Sequence, residues 1–194
     1  MEITRELAKF NTIKFHDKEH KYYMNDTKMS SVTQLIGKYK QPFDSDYWSE
    51  KKAKERGILK EEILKEWKYK ADFSTQKGSA FHAFAENYLF NKVFPFPEEE
   101  MTEVLGGTEN MLECRAAVKT IIELFKKFYD DSYGKLIPVR AEVVVGDEEL
   151  GLCGMIDQLF WNEKSGKLEI WDWKTNKKID NKNKWQQFKS PISH

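Results

Sequence analysis

Two aspartates and a lysine late in the chain, Asp157, Asp172 and Lys174, are spaced so that one β-hairpin would bring them together. Residues 153–161 and 168–174 alternate between apolar and polar side chains, and the polar run Glu163-Lys164-Ser165-Gly166 separates them. With those four residues as the loop, Asn162 pairs with Lys167 and Asp157 falls opposite Asp172, their Cβ atoms about 5 Å apart. Lys174, two residues beyond Asp172, projects to the same side. The rest of that side is Met155, Leu159, Trp161, Leu168 and Ile170, so the charged groups end an otherwise apolar face. Facing carboxylates repel one another and lose hydration, and so need a cation. The lysine supplies one charge; a hard divalent ion, Mg²⁺ or Mn²⁺, prefers oxygen ligands and would supply more. Such an ion activates water and stabilises a phosphate in transit. The lysine can orient that water or neutralise developing charge. The plainer alternative is a structural Asp–Lys cluster at a sheet end, and a slip of one residue would turn Asp157 to the other face.

These groups depend on the elements that carry them. Strands are expected over Val139–Val145, Cys153–Trp161 and Leu168–Lys174, joined by turns at 146–151 and 163–166. Ahead of them, Met111, Leu112, Val118, Ile121, Ile122, Leu124, Phe125 and Phe128 recur at helical spacing and predict a long helix over 109–131. Gly78-Ser79 precedes a second apolar stripe, Phe81, Phe84, Ala85 and Tyr88, on a helix from Ala80 to Phe90. Helices are also expected over 46–55 and 59–70. Residues 13–25 read as a hairpin turning at Asp17-Lys18-Glu19, and Ser30-Ser31-Val32-Thr33 offers a helix start with Val32, Leu35 and Ile36 as its apolar face. Helices followed by consecutive strands indicate an α+β fold with an antiparallel three-strand meander.

The 194 residues suit one compact domain, and 40% hydrophobic content argues against disorder. Lysine plus arginine equals aspartate plus glutamate at 32 each, so net charge points neither toward nucleic acid nor away from it. Cys114 and Cys153 show no zinc spacing, and two cysteines cannot hold a four-cysteine iron–sulfur cluster. No apolar run has the length of a membrane span, and a reduced cytoplasmic setting is the expectation.

Gly154-Met155-Ile156-Asp157, followed by Asp172-Trp173-Lys174-Thr175, resembles the second and third motifs of the PD-(D/E)XK nuclease superfamily, in the G-x-I-D and D-x-K-T forms of its RecB-like exonuclease branch. That branch places a histidine on an upstream helix in a G-x-x-x-H-x-x-x-E pattern, matched here by Gly78, His82 and Glu86. Standing alone, His82 would read as a satisfied or exposed histidine. The resemblance implies a restriction-endonuclease-like core over 78–194 behind an N-terminal hairpin and helical region, 1–77. It makes His82, Asp157 and Asp172 the metal ligands and Asp157, Asp172, Lys174 and Glu142 the catalytic set, with Glu86 and Thr175 in support. For Glu142 the alternative is a plain strand glutamate facing solvent. His20-Lys21-Tyr22 and Ser31-Val32-Thr33 also resemble openings of phage-encoded members, including relatives of the mitochondrial genome-maintenance exonuclease. The Q-x-x-x-Y helix usual after D-x-K is not matched, since Gln186 and Gln187 have no tyrosine four residues on. A C-terminally truncated or split member is therefore expected.

The resemblance implies an Mg²⁺- or Mn²⁺-dependent deoxyribonuclease, in exonuclease form or, as the alternative, an end-processing or restriction-type endonuclease, with DNA ends or single strands as substrate and replication or recombination proteins as partners. The basic aromatic stretch 38–56, with Lys38, Lys40 and Trp48, could track a DNA backbone or stack on bases; the alternative is an amphipathic segment whose aromatics enter the core. Trp161, Trp171 and Trp173 read as core residues. The rival functional class is a DNA-binding or scaffolding module that keeps the nuclease fold without cutting.

Overall fold

Asn25 and Asp26 both adopt left-handed backbone conformations, φ 49° and 63°, the pair that a two-residue hairpin turn requires. The turn joins β2 (Lys21–Met24) to β3 (Thr27–Ser31), and β1 (Ile13–His16) pairs antiparallel with β2. The computed structural model describes residues 8–16, 21–40, 42–91, 108–132 and 135–176. The expected turn at Asp17-Lys18-Glu19, His20 and the segment holding Gln186 and Gln187 lie outside the described residues. The expected hairpin is thus present, and β3 extends it. Ser31 then caps α1 (Val32–Gly37): its Oγ accepts from the Gln34 N–H at 3.1 Å while the Gln34 side chain accepts from the Ser31 N–H at 3.2 Å. The apolar face expected on that helix is largely exposed, Val32 at 47% and Ile36 at 42%.

Asp44 accepts from the Tyr47 N–H at 2.9 Å and starts α2 (Ser45–Arg56), which ends at left-handed Gly57. The two helices expected over 59–70 and 80–90 are one element, α3 (Lys60–Asn91). Tyr69, Phe73, Gln76, Ala80 and Phe84 continue one buried or half-buried stripe through Gly78. The packing of that stripe outweighs the ~1 kcal/mol a single helical glycine costs. Residues 77 and 78, the expected regional boundary, therefore lie inside a helix. No helix among the described residues is long and apolar enough to cross a membrane.

α4 (Thr108–Ser132) packs on α3, and both lie against the sheet. Their shared core holds Phe81, Phe84, Leu89, Val118, Ile122 and Phe125 with Phe160 from the sheet. β4 (Leu136–Asp147), β5 (Leu152–Asn162) and β6 (Lys167–Trp171) form the expected antiparallel meander. Asn162 pairs with Lys167 across the four-residue loop, as the alternation predicts. The third strand stops at Trp171 instead of reaching Lys174. β5 is the hub: β4 covers one edge, while β3 pairs parallel with Leu152 and Cys153 and β6 pairs with 158–162. The result is an α+β fold with a six-stranded mixed sheet.

The N-terminal strands close over the sheet at Gly146. A Cβ there would lie 2.8 Å from Ile13 Cδ1, 3.0 Å from the Leu152 carbonyl oxygen and 3.1 Å from Met29 Cε. Ile13, Met29 and Cys153 form the second buried cluster, so the crowding is against core and backbone. Gly146→Ala is expected to lose about 1–3 kcal/mol, the usual scale of overpacking. Urea denaturation checks this; an unchanged midpoint would mean that the N-terminal strands do not seat on β4 as described.

Candidate metal centre

Ala141 pairs with Gln158 and Val143 with Ile156, so Glu142 stands opposite Asp157 across β4 and β5. The backbone at Glu142 is unusual: its φ is 47°, in the left-handed region, in mid-strand. A non-glycine residue held there costs of order 1–3 kcal/mol and persists only where the surroundings impose it. One turn after Gly78, α3 presents His82 to the same point. His82 Nδ1 is 3.7 Å from Glu142 Oε1 and 3.9 Å from Asp157 Oδ2. One ligating atom from each of the three residues lies within 4.8 Å of the others, and all three are half-buried. Asp157 is the most enclosed, its side chain 14% exposed. Its orientation is fixed by the Trp173 backbone N–H, which donates to Asp157 Oδ2 at 2.7 Å.

The electrostatics follow from this geometry. The Glu142 carboxylate is the main cause that holds the His82 imidazolium above its usual range, and Asp157 adds to it against the opposing effect of burial. At 3.7 Å the His82–Glu142 contact is an ion pair rather than a hydrogen bond of ordinary length. Asp157 is also raised, first by burial and then by the charges of Asp172 and Glu142, while the Trp173 N–H and His82 act in the opposite sense. Both groups thus hold protons more tightly than they would free in water. An imidazole with two carboxylates is a donor set suited to Mn²⁺ and acceptable to Mg²⁺, and three ligands leave room for water and substrate oxygens.

The expected site residues divide into those the fold gathers and those it does not. His82, Glu142 and Asp157 converge. Glu142, which the resemblance placed in the catalytic set but not among the metal ligands, stands in the converging set where Asp172 was expected. Asp172 is a neighbour, near enough for its charge to act on Asp157, but its side chain is 58% exposed and pairs with Lys174 Nζ at 2.5 Å. Trp171 and Trp173 are both anchored in the aromatic core, Trp173 with its ring 5.4 Å from Phe125 and Trp171 5.3 Å from Phe128. These anchors bear out the reading of both tryptophans as core residues.

Thr175 is tied to α3: its carbonyl accepts from Lys77 Nζ at 2.9 Å, and its Oγ1 lies 3.9 Å from the position a Cβ on Gly78 would take. Glu86 is exposed and lines a depression of about 390 Å³ together with Gly78, His82 and Glu142. Lys38 is exposed just after α1, Lys40 is half-buried, and Trp48 is half-buried in α2 with Lys51 Nζ 5.1 Å from its ring centre. None of these three belongs to the converging set. The signal that sequence reading could have weighed more heavily is the register of β4 on β5, which aligns Glu142 with Asp157 once both strands are assigned.

No protein-family model, no curated protein and no solved structure matches the chain.

Two outcomes are expected of this centre. Protons would compete with a metal ion for His82 and Asp157, and both residues hold protons more tightly than usual, so any Mn²⁺ affinity should rise with pH. The rise should continue above pH 6.5, the ordinary histidine value, because the folded His82 is raised above it. Calorimetric titration across neutral pH checks this, and an affinity that levels off below 6.5 would contradict the ion pairing. In the metal-free protein the same signs mean that the stabilising contribution is present at low pH and is lost as pH rises through the folded values. Second, Glu142→Gly should relieve left-handed strain of about 1–2 kcal/mol, against the ~0.4–1 kcal/mol that a glycine adds to unfolded-chain freedom. Its stability should equal or slightly exceed the parent's while Mn²⁺ affinity falls. A clear loss of stability would show that Glu142 is held for packing instead.

Proposed function

We propose that the chain is a metal-dependent deoxyribonuclease with a restriction-endonuclease-like core, hydrolysing phosphodiester bonds in DNA from strand ends. The observation that carries this reading is the convergence of His82, Glu142 and Asp157 from three separate elements, beside the Asp172–Lys174 pair. His82, Glu142 and Asp157 would hold Mg²⁺ or Mn²⁺, with Asp172 the next carboxylate in reach. Such an ion supplies Lewis acidity and a water of lowered pKa. The chain's own groups supply the rest. The Trp173 N–H fixes Asp157, and Glu142 orients His82 through the nearer contact. Lys174, half-exposed beside Asp172, is placed to offset negative charge developing on a phosphate. Lys38, Lys40 and Trp48 are the proposed contacts to the DNA backbone and bases. A cytoplasmic setting, in a bacterial or phage-infected cell, with replication or recombination partners belongs to the same reading.

A second reading has one observation in its favour. Asp172 pairs with Lys174 rather than joining the three ligands, as it would in a DNA-binding module that keeps the fold but does not cut. End-labelled single- and double-stranded DNA with Mn²⁺ separates the two. The nuclease reading expects cleavage by the parent and none by Asp157→Asn. Lys174→Ala should cut about a hundredfold more slowly at unchanged Mn²⁺ affinity, the scale of losing one preorganised electrostatic group. A parent chain that binds both DNA and Mn²⁺ without cutting establishes the non-catalytic reading.

A further inference from the structure

β3 ends its pairing with β5 at Cys153, and β6 begins its own at Gln158. Residues 154–157 therefore have no strand partner on that edge among the described residues. A depression of about 480 Å³ adjoins this gap, within the ~300–1,000 Å³ range of small-molecule sites. Phe15 and Tyr22 form an aromatic wall, their ring centres 4.6 Å apart. Val32 and Met155, both exposed apolar side chains, form others, and Thr33 adds a hydroxyl. None of the lining residues is an acid, a lysine, an arginine or a histidine.

Gly154 sits in this lining and has no backbone reason to be glycine. Its φ is not in the left-handed region, and a Cβ built on it would meet nothing within 4 Å. This contrasts with Gly146, where close packing excludes a side chain. A side chain at position 154 would enter open space at the strand edge where the depression lies, on the face opposite Met155. The depression also borders the metal centre. Met155 and Asp157 are alternate residues on β5, so they share a face about 7 Å apart. Tyr22 is near enough to Glu142 for that carboxylate to help raise its phenol, after burial and Cys153.

We infer that this depression, between β2, the start of α1 and the free edge of β5, is a subsite for one unpaired nucleoside of a DNA strand whose phosphate lies at the His82, Glu142 and Asp157 centre. An uncharged aromatic and apolar cavity with a few polar groups fits a base and sugar. It offers nothing to neutralise a phosphate, which falls instead on the cation site next to it. Two rings and apolar side chains with a few hydroxyl and amide groups suit one unpaired base with its sugar. Gly154 leaves this strand edge open, and the substrate at this point is single-stranded.

The placement of the phosphate rests on the proposed nuclease reading, and the experiment keeps the two apart. Binding of fluorescein-labelled oligo(dT) is measured by polarisation with Ca²⁺, a hard cation that takes the same oxygen ligands, for the parent, Gly154→Val and Val32→Trp, and electrophoresis verifies that the strand stays uncut. Valine suits a strand position, and Val32 is 47% exposed, so both variants should fold, which circular dichroism and unchanged Mn²⁺ affinity verify. Both should bind oligo(dT) about tenfold or more weakly, the scale of losing one base–aromatic contact, with blunt duplex binding unchanged. Parent-like oligo(dT) binding by both overturns the subsite, as does a parent that binds no oligo(dT). Cleavage by the same variants and by Asp157→Asn is followed in Mn²⁺. Cutting that needs Asp157 but ignores both pocket variants leaves the nuclease reading standing and the subsite refuted. Weakened oligo(dT) binding by the pocket variants of a chain that never cuts leaves the subsite standing and the nuclease reading refuted.

Discussion

The pairing of β4 with β5 sets Glu142 against Asp157, and two carboxylates so placed repel unless positive charge lies between them. His82 supplies that charge when protonated, and a divalent ion would supply more. The rest of the centre serves this juxtaposition. The chain bends into a left-handed conformation at Glu142, a local backbone cost located at the centre itself. α3 runs unbroken past Gly78 so that His82, one turn later, reaches the two acids. A break at Gly78, as the sequence suggests, would have freed the direction of the second half of that helix from its first half.

The same juxtaposition needs β5 held in place from both ends, and two different forces do it. At its C-terminal end the hold is aromatic: Phe160, Trp171 and Trp173 pack with Phe81, Phe125 and Phe128 across the sheet and both long helices. Rings of this size bury large areas and prefer the tilted and edge-on contacts seen here. At its N-terminal end the hold is the small cluster of Ile13, Met29 and Cys153, sealed by the parallel pairing to β3. Between the two anchors the free edge of β5 remains, and Asp157 and Gly154 lie on it.

The sequence made some of this legible and concealed the rest for identifiable reasons. Alternation around a single polar loop, taken as four residues long, predicted the Asn162–Lys167 pair that the fold shows, while a one-residue slip stayed open in the sequence. The long stripe from Met111 to Phe128 announced α4 with bounds within a residue or two. β3 was missed because Thr27–Ser31 contains one apolar residue, Met29, and because it pairs with a strand more than a hundred residues away. The left-handed backbone at Glu142 has no local signature, since glycine, asparagine or aspartate would ordinarily mark such a conformation. Asp157 and Lys174 stood out from the hairpin register and again by motif resemblance, His82 by the resemblance alone, and their roles remain proposals. The convergence of His82 with Glu142 and Asp157 is a product of the tertiary fold alone.

Asp172 shows how a correct register can still mislead about side chains. Extending the β5–β6 pairing by one step puts Asp172 opposite Asp157, but the ladder ends at Trp171. The reason lies in the next residue. The Trp173 N–H donates to the Asp157 carboxylate instead of to a strand carbonyl, while the Trp173 ring enters the aromatic core. Trp171 enters the same core two residues earlier, so the backbone between them is held at both sides and Asp172 turns outward to Lys174. The hydrogen bond that orients one acid of the centre is therefore part of what keeps the other outside it.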